Sequence, residues 1–185
     1  MDHIDALERA WKLGSDLLAG LRPADLSLAT PCEGWDVRDL LVHTLGETDM
    51  MSQVNRGAKS SGEYPDFVGD GASLDGAWQR IGADNVASWH EGGLDGNRAY
   101  FYGTFPARVC LLVNIGEVVV HSWDLARPTG QRYDIDPDLA QLVYGLYSAF
   151  PLDGMRANGS LGPEILVPAD APVADRLLGL LGRQP

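Results

Sequence analysis

Apolar positions near the N-terminus recur at Ile4, Leu7, Trp11, Gly14, Leu18 and Leu21. This is the i, i+3, i+7 spacing of an amphipathic helix, which Pro23 ends. A loop from Pro23 to Gly34 leads to Asp36, a good N-cap, with Asp39 adding negative charge to the first turn. The helix that follows carries Val37, Leu40, Leu41, Thr44, Thr48 and Met51 on one stripe, with His43 at its edge and Glu47 one turn on. Residues 63–72 have the chemistry of a loop. Leu74, Ala77, Trp78, Ile81, Val86 and Trp89 predict a third helix, stopped at Gly92-Gly93. Arg98 to Phe105 is aromatic and reads as extended.

Ala107 to Ala126 is apolar almost throughout and rich in β-branched residues, so a strand competes with a helix there. Positions four apart share a face in either, and length decides the matter. The run far exceeds a typical strand of ~5–6 residues, and Arg127-Pro128-Thr129-Gly130 is a helix stop. Asp136-Pro137 opens a fifth helix with Leu139, Val143, Leu146 and Tyr147 on its apolar face, closed by Pro151. Residues 152–171 are Gly/Pro-rich, with one apolar piece at Ile165 to Val167, and residues 172–181 form a short terminal helix. With no repeat, low-complexity tract or linker, residues 1–185 read as a single all-α domain. Four long helices make a four-helix bundle, whose core can hold a metal on facing side chains.

Composition narrows the partners. Of 185 residues, 45% are hydrophobic and 22% charged, which suits a globular domain. The formal net charge is −12, and no Lys/Arg cluster could track a phosphate backbone. Nucleic acid and anionic membrane surfaces are therefore not expected partners. The N-terminus lacks a basic, then apolar, leader. The longest apolar run, Val109 to Val120, is broken by Asn114, Gly116 and Glu117, short of the ~18–20 residues of a membrane span. A cytoplasmic location is expected. Cys32 and Cys110 fit no metal-finger or CxxC spacing and read as reduced, with no activating base beside either.

The chemistry centres on Gly116 to Gln131. Glu117 and His121 lie one helical turn apart in apolar surroundings, and a divalent metal would satisfy both at once. Of the other histidines, His3 reads as solvated in the first turn and His90 as a cap on carbonyls at the end of the third helix. His43 remains, inside a helix that must pack in the core. Each histidine alone could be a hydrogen-bonded core residue. His43, Glu117 and His121 together make a His₂Glu set, a familiar zinc shell with an open position. Zn²⁺ on that set carries net +1, and a bound water or thiol would lose its proton near neutral pH. Glu47 could orient His43 or be solvated. Trp35 is expected to staple its helix, Trp123 to fill the core, and Asp124 and Arg127 to make local helix-end contacts.

The segments from Thr30 to His43 and from Gly116 to Gln131, with the tail from Gly162 to Arg183, resemble the mycothiol-dependent maleylpyruvate isomerase N-terminal family of the DinB-like metal-binding superfamily. The tail is similar to a short, stand-alone actinobacterial branch. The resemblance implies a DinB-like four-helix bundle with additional short C-terminal helices. It also implies zinc, or another divalent metal such as Ni²⁺, on His43, Glu117 and His121. The implied chemistry activates a low-molecular-weight thiol such as mycothiol for S-transfer to, or isomerisation of, a small electrophile. The isomerase has a C-terminal domain that helps form its active site, and this chain is too short to carry it. S-transfer or detoxification chemistry therefore stands beside isomerisation. A non-catalytic metal-binding or interaction module, and a hydrolase using metal-bound water, are the competing readings. The electrophile, the residues that hold the thiol and the oligomeric state, a homodimer included, are left open.

Overall fold

The computed structural model describes residues 2–69 and 73–185, which divide into two compact units, residues 1–133 and 134–185. The expected loop at 63–72 is irregular up to Gly69, and its last three positions lie outside the described residues.

The first unit holds four long helices, α1 (His3–Ala19), α2 (Val37–Asn55), α3 (Leu74–Gly92) and α4 (Ala107–Thr129). Helices α1 and α2 each pack against both α3 and α4, so the four form a bundle with α1 and α2 on one diagonal. Their boundaries follow the caps. The Asp2 side chain accepts from the Ile4 N–H, and Asp36 and Asp39 form a reciprocal capping box. Every predicted stripe residue of α2 is buried. Helix α4 carries Pro128 in its last turn and ends at the expected stop, on Gly130 in the left-handed conformation (φ 66°). It alone among the described helices is long and apolar enough to cross a membrane, with mean hydropathy 1.4 over its most apolar window. Most of that window, 78%, is buried in the bundle, so its apolar character matches a core helix packed on several sides.

Close helix packing depends on glycine at one crossing. A Cβ on Gly14 would collide with the Trp78 ring and lie 3.0 Å from Ser122 Oγ. The Trp78 indole N–H donates to the Trp11 carbonyl (3.0 Å), which locks α3 on α1. A buried polar chain also runs through the bundle. Trp11 Nε1 donates to Asn85 Oδ1 (3.3 Å), Asn85 Nδ2 to Ser52 Oγ (3.1 Å) and Asn55 Nδ2 to Ser88 Oγ (3.0 Å). Buried polar groups of this kind hold helix register because each loses its partner if the helices slide.

The aromatic stretch before α4 is an antiparallel hairpin, β1 (Asn97–Tyr100) and β2 (Gly103–Pro106). Arg98 is buried beneath it and spends its donors on Asn55 Oδ1 (2.9 Å) and the carbonyls of Gly92, Gly93, Asp95 and Asn97. This clasp fixes the hairpin to the end of α3. In the second unit, α5 (Pro137–Tyr147) packs on α7 (Val173–Leu180) through Leu139, Val143, Leu177 and Leu178, beside a short α6 (Asp153–Ala157). The apolar piece at Ile165 is tied to α7 by its N–H to the Gly179 carbonyl (2.9 Å).

Candidate metal centre

Helix α4 presents Glu117, His121 and Asp124 at i, i+4 and i+7, one face over two turns. Helix α2 lies beside it and presents His43, with Glu47 one turn further. The residues singled out from sequence, His43, Glu117 and His121, meet where these helices face. His43 Nε2 is 3.2 Å and His121 Nε2 3.0 Å from the same Glu117 Oε2, with the two imidazole centroids 5.3 Å apart. The donor atoms all lie within 4.8 Å of one another. In a tetrahedral shell with bonds of about 2.0–2.2 Å, neighbouring donors sit roughly 3.3 Å apart. Two neutral nitrogens and one carboxylate at this separation therefore fit a zinc-sized ion.

The electrostatics carry the mark of such a pairing. Burial alone would raise the Glu117 carboxyl, but His121 and His43 hold it far below the ordinary range. Burial opposes charge on His121, yet Glu117, Asp124 and Cys32 together lift its pKa well above that of a free imidazole. A divalent cation on these atoms would compete with a proton for the pair.

Three surrounding residues differ from expectation. Asp124 is fully buried and its Oδ2 lies 3.0 Å from His121 Nδ1, so it backs the imidazole rather than making a helix-end contact. Cys32 reaches the same oxygen at 3.4 Å, which puts a thiol beside a carboxylate and an imidazole where no activating base was expected. Cys32 and Trp35 arrive on a tight loop closed by the Trp35 N–H to the Cys32 carbonyl (3.0 Å), with Gly34 at φ 79°. Trp35 packs on His43 with ring centroids 4.8 Å apart. Glu47 is not solvated but 7% exposed, and it accepts from the Tyr64 hydroxyl and from Tyr102 at the hairpin tip (3.1 Å). Burial and the nearby Glu117 push its carboxyl upward in pKa, against the two phenols.

Other expectations resolve more simply. Trp123 is buried, with Arg127 stacked over its ring at 4.8 Å. His90 is exposed in the last turn of α3. His3 is only half-exposed, and its Nδ1 is buried without a hydrogen-bond partner, so the solvated reading fails there. Cys110 is buried and its thiol pKa is raised by that burial. Tyr64 and Tyr102 were missed because they lie in loop and hairpin segments that carry no spacing signal.

Residues 7–126 match the family model described as the mycothiol maleylpyruvate isomerase N-terminal domain. The chain belongs to that family. The match runs from Leu7 within α1 to Ala126 within α4 and includes His43, Glu117, His121 and Asp124. Two relatives from Mycobacterium tuberculosis, the uncharacterized protein Rv0738 and its counterpart MT0763 in a second strain, are each 35% identical to this family member. Each alignment covers 99% of this chain and 98% of the relative. Among solved structures, the bundle is similar to the crystal structure of the mycothiol-dependent maleylpyruvate isomerase and to that of a histidine-to-alanine mutant of it. Both superpose with a TM-score of 0.60 at 18% identity, over 80% of this chain and 67% of the other. The shared fold is the DinB-like bundle expected from sequence.

Proposed function

We propose that this protein is a metal-dependent enzyme that activates a low-molecular-weight thiol, mycothiol being the family's namesake, for S-transfer to or isomerisation of a small electrophile. The observation that carries this reading is the convergence of His43, Glu117 and His121 on one point between α2 and α4. Those three residues would hold the metal, zinc or another divalent ion such as nickel. When bound, such an ion supplies Lewis acidity that lowers the pKa of a coordinated thiol.

The chain's own residues do the rest. Glu117 contributes the one negative charge of the donor set. Asp124 accepts the Nδ1–H of His121 and so fixes the tautomer that leaves Nε2 free. The direction of that bond follows from the ligand role of Nε2. Trp35 holds the plane of His43 from the outer side. No protein nucleophile is required, because the thiol itself attacks. Family membership and the bundle shared with a mycothiol-dependent isomerase support the thiol as cosubstrate.

Metal content of tag-free protein tests the reading, with about one equivalent of a divalent metal expected and loss of it in His121→Ala. Mycothiol-dependent consumption of an electrophile by the loaded protein tests the activity. A metal content below roughly a tenth of an equivalent after loading, unchanged by His121→Ala, would sink the proposal.

A further inference from the structure

We infer that the loop from Thr30 to Trp35 is a single clamp that positions both imidazoles of the donor set, with the Thr30 hydroxyl as its pin. The inference rests on the proposed ligand role of His43 and His121 and adds positioning residues to it. The two histidines stand on different helices, α2 and α4, and this one loop reaches both.

The loop meets one ring directly and the other through a carboxylate. The Trp35 indole packs on His43 with centroids 4.8 Å apart and the planes at 56° to each other. Cys32 Sγ donates to Asp124 Oδ2 at 3.4 Å, and that same oxygen lies 3.0 Å from His121 Nδ1. Asp124 is fully buried, where a carboxylate depends on donors from the protein. With the thiol and the imidazole on one oxygen, this carboxylate cannot turn without giving up both contacts.

The shape of the loop makes Cys32 and Trp35 move together. Thr30 Oγ1 accepts from the Cys32 N–H (3.2 Å) and donates to the Trp35 carbonyl (2.9 Å). The Thr30 N–H donates to that same carbonyl (3.0 Å), and the Trp35 N–H closes back on the Cys32 carbonyl (3.0 Å). Gly34, in the left-handed conformation, reverses the chain between them (φ 79°). At the base of the turn Ala29 bridges Asp36 and the Val37 N–H donates to the Leu28 carbonyl (2.9 Å). The clamp is thereby joined to the first turn of α2, the helix that carries His43. Position 30 needs a donor and an acceptor on one atom, which a hydroxyl supplies and a valine of the same shape does not.

Thr30→Val and Thr30→Ser test the clamp, the first keeping the shape of the side chain and the second its hydroxyl. In metal-free protein, NMR of the histidine rings is expected to show shifts of both His43 and His121 in Thr30→Val, with His3 and His90 unmoved. Thr30→Ser is expected to match wild type. In competition with a chromophoric chelator, Thr30→Val is expected to bind zinc about three- to tenfold more weakly, less than the 10–100-fold loss typical of a residue bonded directly to a ligand. Cys32→Ala leaves the backbone bonds of the turn in place and is expected to shift the His121 ring and not that of His43. A Thr30→Val protein in which neither ring moves, or one alone, overturns the inference. So does an equal response to Thr30→Ser, or a His121 ring unmoved by Cys32→Ala. If wild-type protein binds no zinc while both rings respond to Thr30→Val and not to Thr30→Ser, the metal reading fails and the clamp stands.

Discussion

His121 is the residue on which the site turns, because both of its ring nitrogens are used. Nε2 faces Glu117 and Nδ1 faces the buried Asp124, so the tautomer and the ring plane are set from behind. Replacing Asp124 with Asn keeps the volume and removes the charge. Asp124→Asn is expected to weaken metal affinity 10–100-fold, measured by competition with a chromophoric chelator, while the helix content by circular dichroism is retained. Glu47 gives a pH prediction. Its carboxyl is raised in the folded protein, so it favours the fold at pH below its unfolded value and loses that contribution as pH rises through the folded value. In metal-free protein the stability of Glu47→Gln relative to wild type should therefore rise between pH 4 and pH 8, read from urea unfolding midpoints. A flat difference across that range would show that the two phenols fully offset burial.

At the scale of elements, the two helices that carry the site are held by different devices. Helix α2 is set by its capping box, where each Asp36 and Asp39 side chain accepts from the other's backbone N–H. Helix α4 is set by burial, since its apolar surface is packed in the bundle and it lacks a side-chain N-cap. The crossing of α1 with α3 has no spare volume at Gly14, where a methyl would meet the Trp78 ring. Gly14→Ala is expected to destabilise the protein by about 1–3 kcal/mol in chemical denaturation, because Trp78 is fully buried and its indole N–H is held on Trp11. The α2 stripe, the stop at Gly92-Gly93 and the fifth helix were legible from periodicity and turn residues alone. The end of α4 at Gly130 was legible in the same way, from a glycine able to take the left-handed conformation.

For the whole molecule, the proposed metal would be linked to stability. A ligand that binds only the folded bundle stabilises it by RT ln(1 + [L]/Kd), about 2.7 kcal/mol at a hundredfold excess over Kd. The site joins α2 to α4 across the bundle, so chelation should lower the melting temperature of the whole unit in a single transition. His43→Ala should show little further loss on chelation, because it removes the ligand that comes from α2. A second, separate transition on chelation would mean that the metal stabilises one helix pair alone.

The sequence by itself determined the helices, the core stripe of α2 and the fold class, because apolar period and caps act over a few neighbouring residues. It also put Glu117 and His121 on one face, since i and i+4 coincide on any helix. It left open whether His43 would reach them, because that distance depends on how α2 packs against α4 and on no local spacing. Asp124 was read as a helix-end residue for the same reason, its burial being a property of the neighbours that surround it. Cys32, Tyr64 and Tyr102 come from a loop and a hairpin whose paths are set by contacts far away in the chain, such as the Arg98 clasp beneath β1. Only the tertiary structure brought those side chains beside His43, Glu47 and Asp124.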